Sequence, residues 1–185
     1  MACLTYLLIY SGTMIQNNMV LFTREAVGMA EDTFVGYQLA IRFGCKVVAG
    51  LMLGWLLKVT NPRMNLYATS LLVICGVVWL LIAPVFGVGL LFLIAFGFNG
   101  AGELMGHYYP YYVLCLSPKS QMRRNMSFVM LLSAPVGFAP ALYGTISDIW
   151  SLTASFWAAS AVMAAGLVLV AATLPAQPRP CGEDL

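Results

Sequence analysis

The sequence predicts an all-α integral membrane protein of six transmembrane helices, arranged as two three-helix repeats. Three observations predict it: an extreme apolar excess, six apolar runs of membrane-spanning length, and a repeating placement of polar residues among those runs. The chain is 61% hydrophobic and only 9% charged, whereas soluble domains carry about 25% charged residues. A surface so poor in charge does not stay in water. The single domain expected at this length therefore lies in a bilayer. The net charge of +2 and the absence of a basic run exclude a nucleic-acid partner. The five cysteines, Cys3, Cys45, Cys75, Cys115 and Cys181, have no paired or metal-like spacing, and read as reduced apolar residues.

A helix needs about 20 apolar residues to cross the hydrocarbon core. The first run is 3–22, closed by the polar stretch Thr23 to Asp32. It is no signal peptide, because it lacks a basic start and a small-residue cleavage site. The second run, 33–57, ends at Lys58. The third is 64–83 and the fourth 87–109, followed by the polar connection Leu116 to Asn125. The fifth is 126–147 and the sixth 151–174. The Pro-rich tail 175–185 reads as a disordered cytoplasmic segment. Barrel strands would alternate over about ten residues. These runs are twice as long and apolar all round. The chain opens almost directly inside a helix, which points to half of a longer architecture.

Lysine and arginine in short loops set orientation. The second loop holds Lys58 and Arg63, and the fourth holds Lys119, Arg123 and Arg124. The first holds Arg24 against Glu25, Glu31 and Asp32, the third holds no basic residue, and the fifth has only Asp148. Loops two and four are therefore expected in the cytoplasm, with both termini on that side. A membrane-impermeant thiol reagent should label a cysteine placed at Ala30 from outside and one placed at Ser120 only from inside. Labelling of the opposite sidedness overturns this topology.

Ionisable and amide groups inside a membrane are costly, and usually face a cavity or a partner. The first helix carries Gln16, Asn17 and Asn18 in a row, which cannot all face one neighbouring helix. The second carries Arg42 and Lys46, four residues apart and so on one face. Arg42 lies about 14 Å from the outer boundary, too deep to reach water easily. The fourth carries Asn99, Glu103 and His107, again four apart. These polar groups, from Gln16 to Glu103, are the candidate substrate-binding residues. His107 sits towards the cytoplasmic end of its helix and reads as a satisfied interfacial histidine. The neighbouring Tyr108, Tyr109, Tyr111 and Tyr112 read as an aromatic interface belt. The pairs Gly50/Gly54 and Gly102/Gly106 mark close helix packing. The fifth helix carries Pro135, Gly137, Pro140 and Gly144, which predict a bend. The third and sixth carry no ionisable residue and are expected to face lipid.

Polar, polar, apolar, then polar, flexible, apolar is the pattern of transporters built from inverted three-helix repeats. The turn Gly54-Trp-Leu56-Leu-Lys58-Val-Thr-Asn61-Pro-Arg63 resembles the cytoplasmic loop motif G-x-L-x-D-R-x-G-R-K of the major facilitator superfamily. Gly54, Leu56 and Arg63 match; Lys58 stands where the motif has Asp, and Asn61 where it has Gly. The segment Ser117 to Ser127, leading into a Gly/Pro-rich helix, is similar to the corresponding loop of many members. Residues 3–174 resemble the C-terminal six-helix half of such a transporter. The resemblance implies a half bundle in the plasma or bacterial inner membrane. The resemblance further implies that this half moves a small solute by alternating access and is completed by an N-terminal half or a partner chain; Arg42 and Lys46 on one helical face point to an anionic solute.

Other classes fare worse on the residues. One histidine, no H-E-x-x-H and no G-x-S-x-G leave no catalytic template. Glu103 and His107 alone make no catalytic metal site. No catalytic residue, metal or cofactor is therefore expected. A channel would show a repeated filter or a charged ring, and neither is present. A non-transporting membrane subunit or a channel is the remaining alternative, ahead of an intramembrane enzyme.

Overall fold

The computed structural model describes residues 1–27, 31–87 and 89–175. It is entirely helical, with no strand among the described residues. Four helical segments are long and apolar enough to cross a membrane: Phe34–Val59, Pro62–Ile82, Lys119–Ile149 and Leu152–Thr173. This establishes a helical chain of membrane-spanning character. The first and fourth apolar runs are also helical, but each is broken near its middle.

The first run consists of α1 (Ala2–Thr13), a 3-10 segment (Met14–Asn18) and α2 (Met19–Val27). The side chain of Thr13 donates to the carbonyl of Tyr10 at 2.7 Å. Such back-bonding competes with the helical ladder and bends it, immediately before the ladder tightens into 3-10 geometry. The helix continues to Val27, so the polar residues from Thr23 extend it instead of closing it. α3 is Glu31–Val59 and α4 is Pro62–Ile82. Between them Asn61 caps α4, accepting from the N–H of Met64 at 3.1 Å. Pro62 sits in the first turn, where its missing N–H is no loss.

The fourth run starts in the 3-10 segment Gly89–Leu93, continues as α5 (Ile94–Gly102) and restarts as α6 (Met105–Leu116). At the break the backbone slips to i→i+3 bonds: Leu104 N–H to Ala101, Gly106 to Glu103 and His107 to Leu104. The fifth run is α7 (Met122–Val136) and α8 (Ala139–Ile149), broken at Gly137–Phe138 between the two prolines, as the sequence predicts. Arg123, Arg124 and Asn125, assigned to a loop from the sequence, lie in the first turn of α7. α9 is Leu152–Thr173, capped by the hydroxyl of Ser151 accepting from Ala154 N–H at 3.0 Å. Of the predicted tail, Pro175 is tied down: its carbonyl accepts from the Tyr112 hydroxyl at 2.8 Å. Residues 176–185, with Cys181, and Ala30 in the first loop lie outside the described residues.

The segments interleave. The first run packs on α7, α8 and α9, whereas α5 packs on α3 and α4 and α6 on α4 and α7; α4 and α9 pack on each other. Two apolar cores result. One gathers Ile15, Met19, Phe22, Phe92, Phe96 and Phe156; the other gathers Tyr6, Ile9, Leu66, Met105, Tyr109 and Tyr112. Tyr109 and Tyr112 are therefore core residues and not members of an interface belt. The ring of Tyr109 packs tilted against that of Tyr6, and its hydroxyl donates to the Thr5 hydroxyl. Four tyrosines in five residues cannot all face one way on a helix, and two of them turn inward.

The expectation that α4 faces lipid fails. Half of its most apolar window (50%) is enclosed, against 11% for α3. Counting only ionisable residues hid the cause. Asn65, Thr69 and Ser70 on α4 are wholly buried, and with Val73, Gly76 and Val77 they form a packing stripe of small and uncharged polar groups. The amide of Asn65 reaches across to the carbonyl of Leu53 at 2.9 Å.

Candidate functional site

The site forms where the broken helices cross α3. α5 lies so close to α3 that a Cβ on Gly100 would collide with the backbone of Arg42, and one on Gly97 with Cys45 and Ile41. Only glycine permits this approach. It brings Arg42 and Lys46 alongside Glu103, the residue at which α5 ends. Arg42 Nη2 donates to one carboxylate oxygen of Glu103, and Lys46 Nζ donates to the other at 3.0 Å. One acid thus serves two cations, and the cluster keeps a formal charge of +1. The three side chains are 32%, 29% and 19% exposed, so water still reaches them. The Nε of Arg42 is buried and donates to nothing.

These groups line a cavity of about 350 Å³ together with Tyr10, Thr13, Gln16, Asn17, Gly106 and His107. It lies between the two apolar cores, at the level of both helix breaks. Pro110 has no N–H to offer the carbonyl of Gly106, so a backbone acceptor on this wall lacks its helical partner. A larger groove of about 800 Å³ lies between α3, α4 and α5, but its lining, including Cys45, Trp55 and Cys75, carries nothing that orients a polar solute.

Of the residues expected from sequence, Gln16, Asn17, Arg42, Lys46 and Glu103 share the cavity wall. Asn18 lies off it. Asn99 stands behind the wall, 2% exposed: its carbonyl oxygen accepts from Gln16 Nε2 at 3.2 Å, and its own amide donates to Ala95. Both ends are occupied, so Asn99 positions Gln16. His107, read as interfacial, is on the cavity wall one turn beyond Glu103. Its i+4 spacing from Glu103 carried that signal.

The loop-motif residues Gly54, Leu56 and Arg63 lie away from the cavity. A Cβ on Gly54 would meet open space, and one on Gly50 would meet only the tip of Leu104, so this pair packs no helix. Gly102 does pack tightly, on α4, whereas Gly106 does not. Leu56 is half-buried against Ala49, Leu53 and Ala101. Arg63 donates to the Tyr67 hydroxyl at 2.8 Å and to the carbonyl of Ala171 at 2.6 Å. That carbonyl belongs to the last turn of α9, whose open acceptors and negative dipole end suit a cation. Among the described residues no group of three metal-ligating side chains occurs, and Cys3, Cys45 and Cys75 are free thiols. Compared with protein-family models, curated proteins and solved structures, the chain matches none.

Proposed function

We propose that this chain is one six-helix bundle of a secondary transporter of the major facilitator type, moving a small anionic solute by alternating access. The observation that carries the reading is the Arg42–Glu103–Lys46 cluster. It leaves one positive charge unbalanced on a cavity wall, at the depth where two helices break. In a low-dielectric surrounding such a charge attracts a carboxylate or phosphate strongly. Broken helices at mid-depth are where transporters place their sites, because freed backbone groups can face a cavity.

The interleaved packing supports the two-repeat reading. Exchanging the first three spans with the last three maps the contacts of the first span with α7–α9 onto those of the fourth with α3 and α4, and the α4–α9 contact onto itself; among the described residues the α6–α7 contact has no comparable counterpart. The exposed faces of α3 and of α7–α8 are the ones a second bundle would cover. A partner bundle would supply the opposite wall. Orientation with both termini in the cytoplasm belongs to the same proposal, as do the lipid bilayer and a small-molecule substrate as partners.

Charge-removing substitutions test it. In the assembled transporter, reconstituted in liposomes, Arg42→Gln and Lys46→Gln should each raise the half-saturation concentration for the transported anion about tenfold, with membrane insertion intact. Glu103→Gln should change the half-saturation concentration as well, since it removes the carboxylate that holds both cations. Unchanged affinity in all three variants would leave the cluster purely structural and end this reading.

A further inference from the structure

Gln38 was not marked by the sequence pattern, yet it stands on α3 one turn before Arg42. Among the described side chains of this helix Phe34, Gln38, Ala49 and Leu53 are the buried ones, and they share one face. Gln38 is 6% exposed, and its Oε1 is buried without a hydrogen bond. One turn away, the Nε of Arg42 is also buried and unpartnered. Buried polar groups in folded proteins are nearly always paired, so two orphans side by side call for a reason. They are complementary, a neutral acceptor and a charged donor. Helical side chains lean towards the N-terminus, so that of Arg42 lies over the turn that carries Gln38. What holds Arg42 elsewhere is Glu103, which takes its Nη2.

We infer that Gln38 is a positioning residue of the anion site, providing a second resting place for the Arg42 guanidinium. When an anion displaces Glu103, the Nε–H of Arg42 turns onto Gln38 Oε1. The two Nη groups then face the anion as a planar fork, the geometry that matches a carboxylate or phosphate. Both orphans are satisfied in that arrangement and in neither case while Glu103 holds the arginine. The inference rests on the anion reading above and goes beyond it in assigning what Arg42 does when the anion arrives.

The test is anion binding by the assembled transporter purified in detergent, read as the rise in thermal unfolding midpoint during titration with succinate or inorganic phosphate. Gln38→Met removes the acceptor and keeps the size. The anion-free midpoint should stay or rise, because an unsatisfied buried acceptor is replaced by an apolar group. Affinity for the anion that the parent protein binds should fall about tenfold. In an Arg42→Lys background, which lacks the Nε–H, Gln38→Met should change affinity by less than about twofold. A marked fall in the anion-free midpoint makes Gln38 a structural residue and overturns the inference. Parent-like affinity in Gln38→Met, with binding lost in Arg42→Gln, overturns it alone. Absence of binding by the folded parent protein overturns it together with the anion reading.

Discussion

Adding one methyl group at Gly100 is expected to take the site apart. The Cβ of Gly100→Ala would sit against the carbonyl carbon and oxygen of Arg42. Those are backbone atoms in the middle of α3, so no side chain can swing aside. α3 and α5 must separate, and the separation also strips Gly97 from Ile41 and Cys45. Overpacking of this kind costs on the order of 3 kcal/mol when backbone has to move. The matching control is Gly44→Ala on α3, where a Cβ would meet open space. There the change should be neutral, or stabilising by up to about 1 kcal/mol, because alanine is the better helix former. Thermal unfolding in detergent, followed by helical circular dichroism, compares the two. Equal midpoints would mean that α3 and α5 are not in contact at Gly100.

The second large effect is expected at Glu103. Glu103→Leu removes the single carboxylate that serves Arg42 and Lys46. Breaking a buried ion pair from one side costs about 3–5 kcal/mol; partial exposure of all three side chains lowers the expectation to about 2 kcal/mol. Replacing the whole cluster is different. The triple variant Arg42→Met, Lys46→Met, Glu103→Leu leaves no orphaned charge, and should regain parent stability or exceed it. It should nevertheless bind no anion. Stability restored together with loss of binding would show that the charges are kept for the solute and not for the fold. Stability lost in the triple variant as well would make the cluster a folding element.

Much of the architecture was legible in the chain. Length and hydropathy located the four helical segments long and apolar enough to cross a membrane, because a bilayer rewards any continuous apolar stretch of about 20 residues whatever it later packs against; the other two runs are helical but broken. The breaks were partly legible too. Prolines on either side of Gly137 announced the one in the fifth run, since a residue without N–H cannot complete the ladder. The break at Glu103–Leu104 had no such signal, because glycine-rich α5 ends through backbone slippage and not through a forbidden residue. The site residues were found by their cost: Arg42, Lys46 and Glu103 stand out because charge in an apolar run demands a reason. Gln38 did not stand out, because a lone neutral amide carries a smaller penalty and no sign.

Composition and spacing thus determined the medium, the helical class and the charges that matter. All three follow from the free energy of placing each side chain in hydrocarbon or water, a property of one residue and its near neighbours. Neighbour relations were left to the tertiary structure. Only packing decided that α4 is enclosed and α3 exposed, that Tyr109 and Tyr112 turn inward, and that Asn99 serves Gln16. Only packing set Arg42 and Lys46 on the two oxygens of Glu103, because that pairing depends on how closely α3 and α5 approach at Gly97 and Gly100. The approach between segments about sixty residues apart is fixed by shape complementarity, which the periodicity of either helix does not encode.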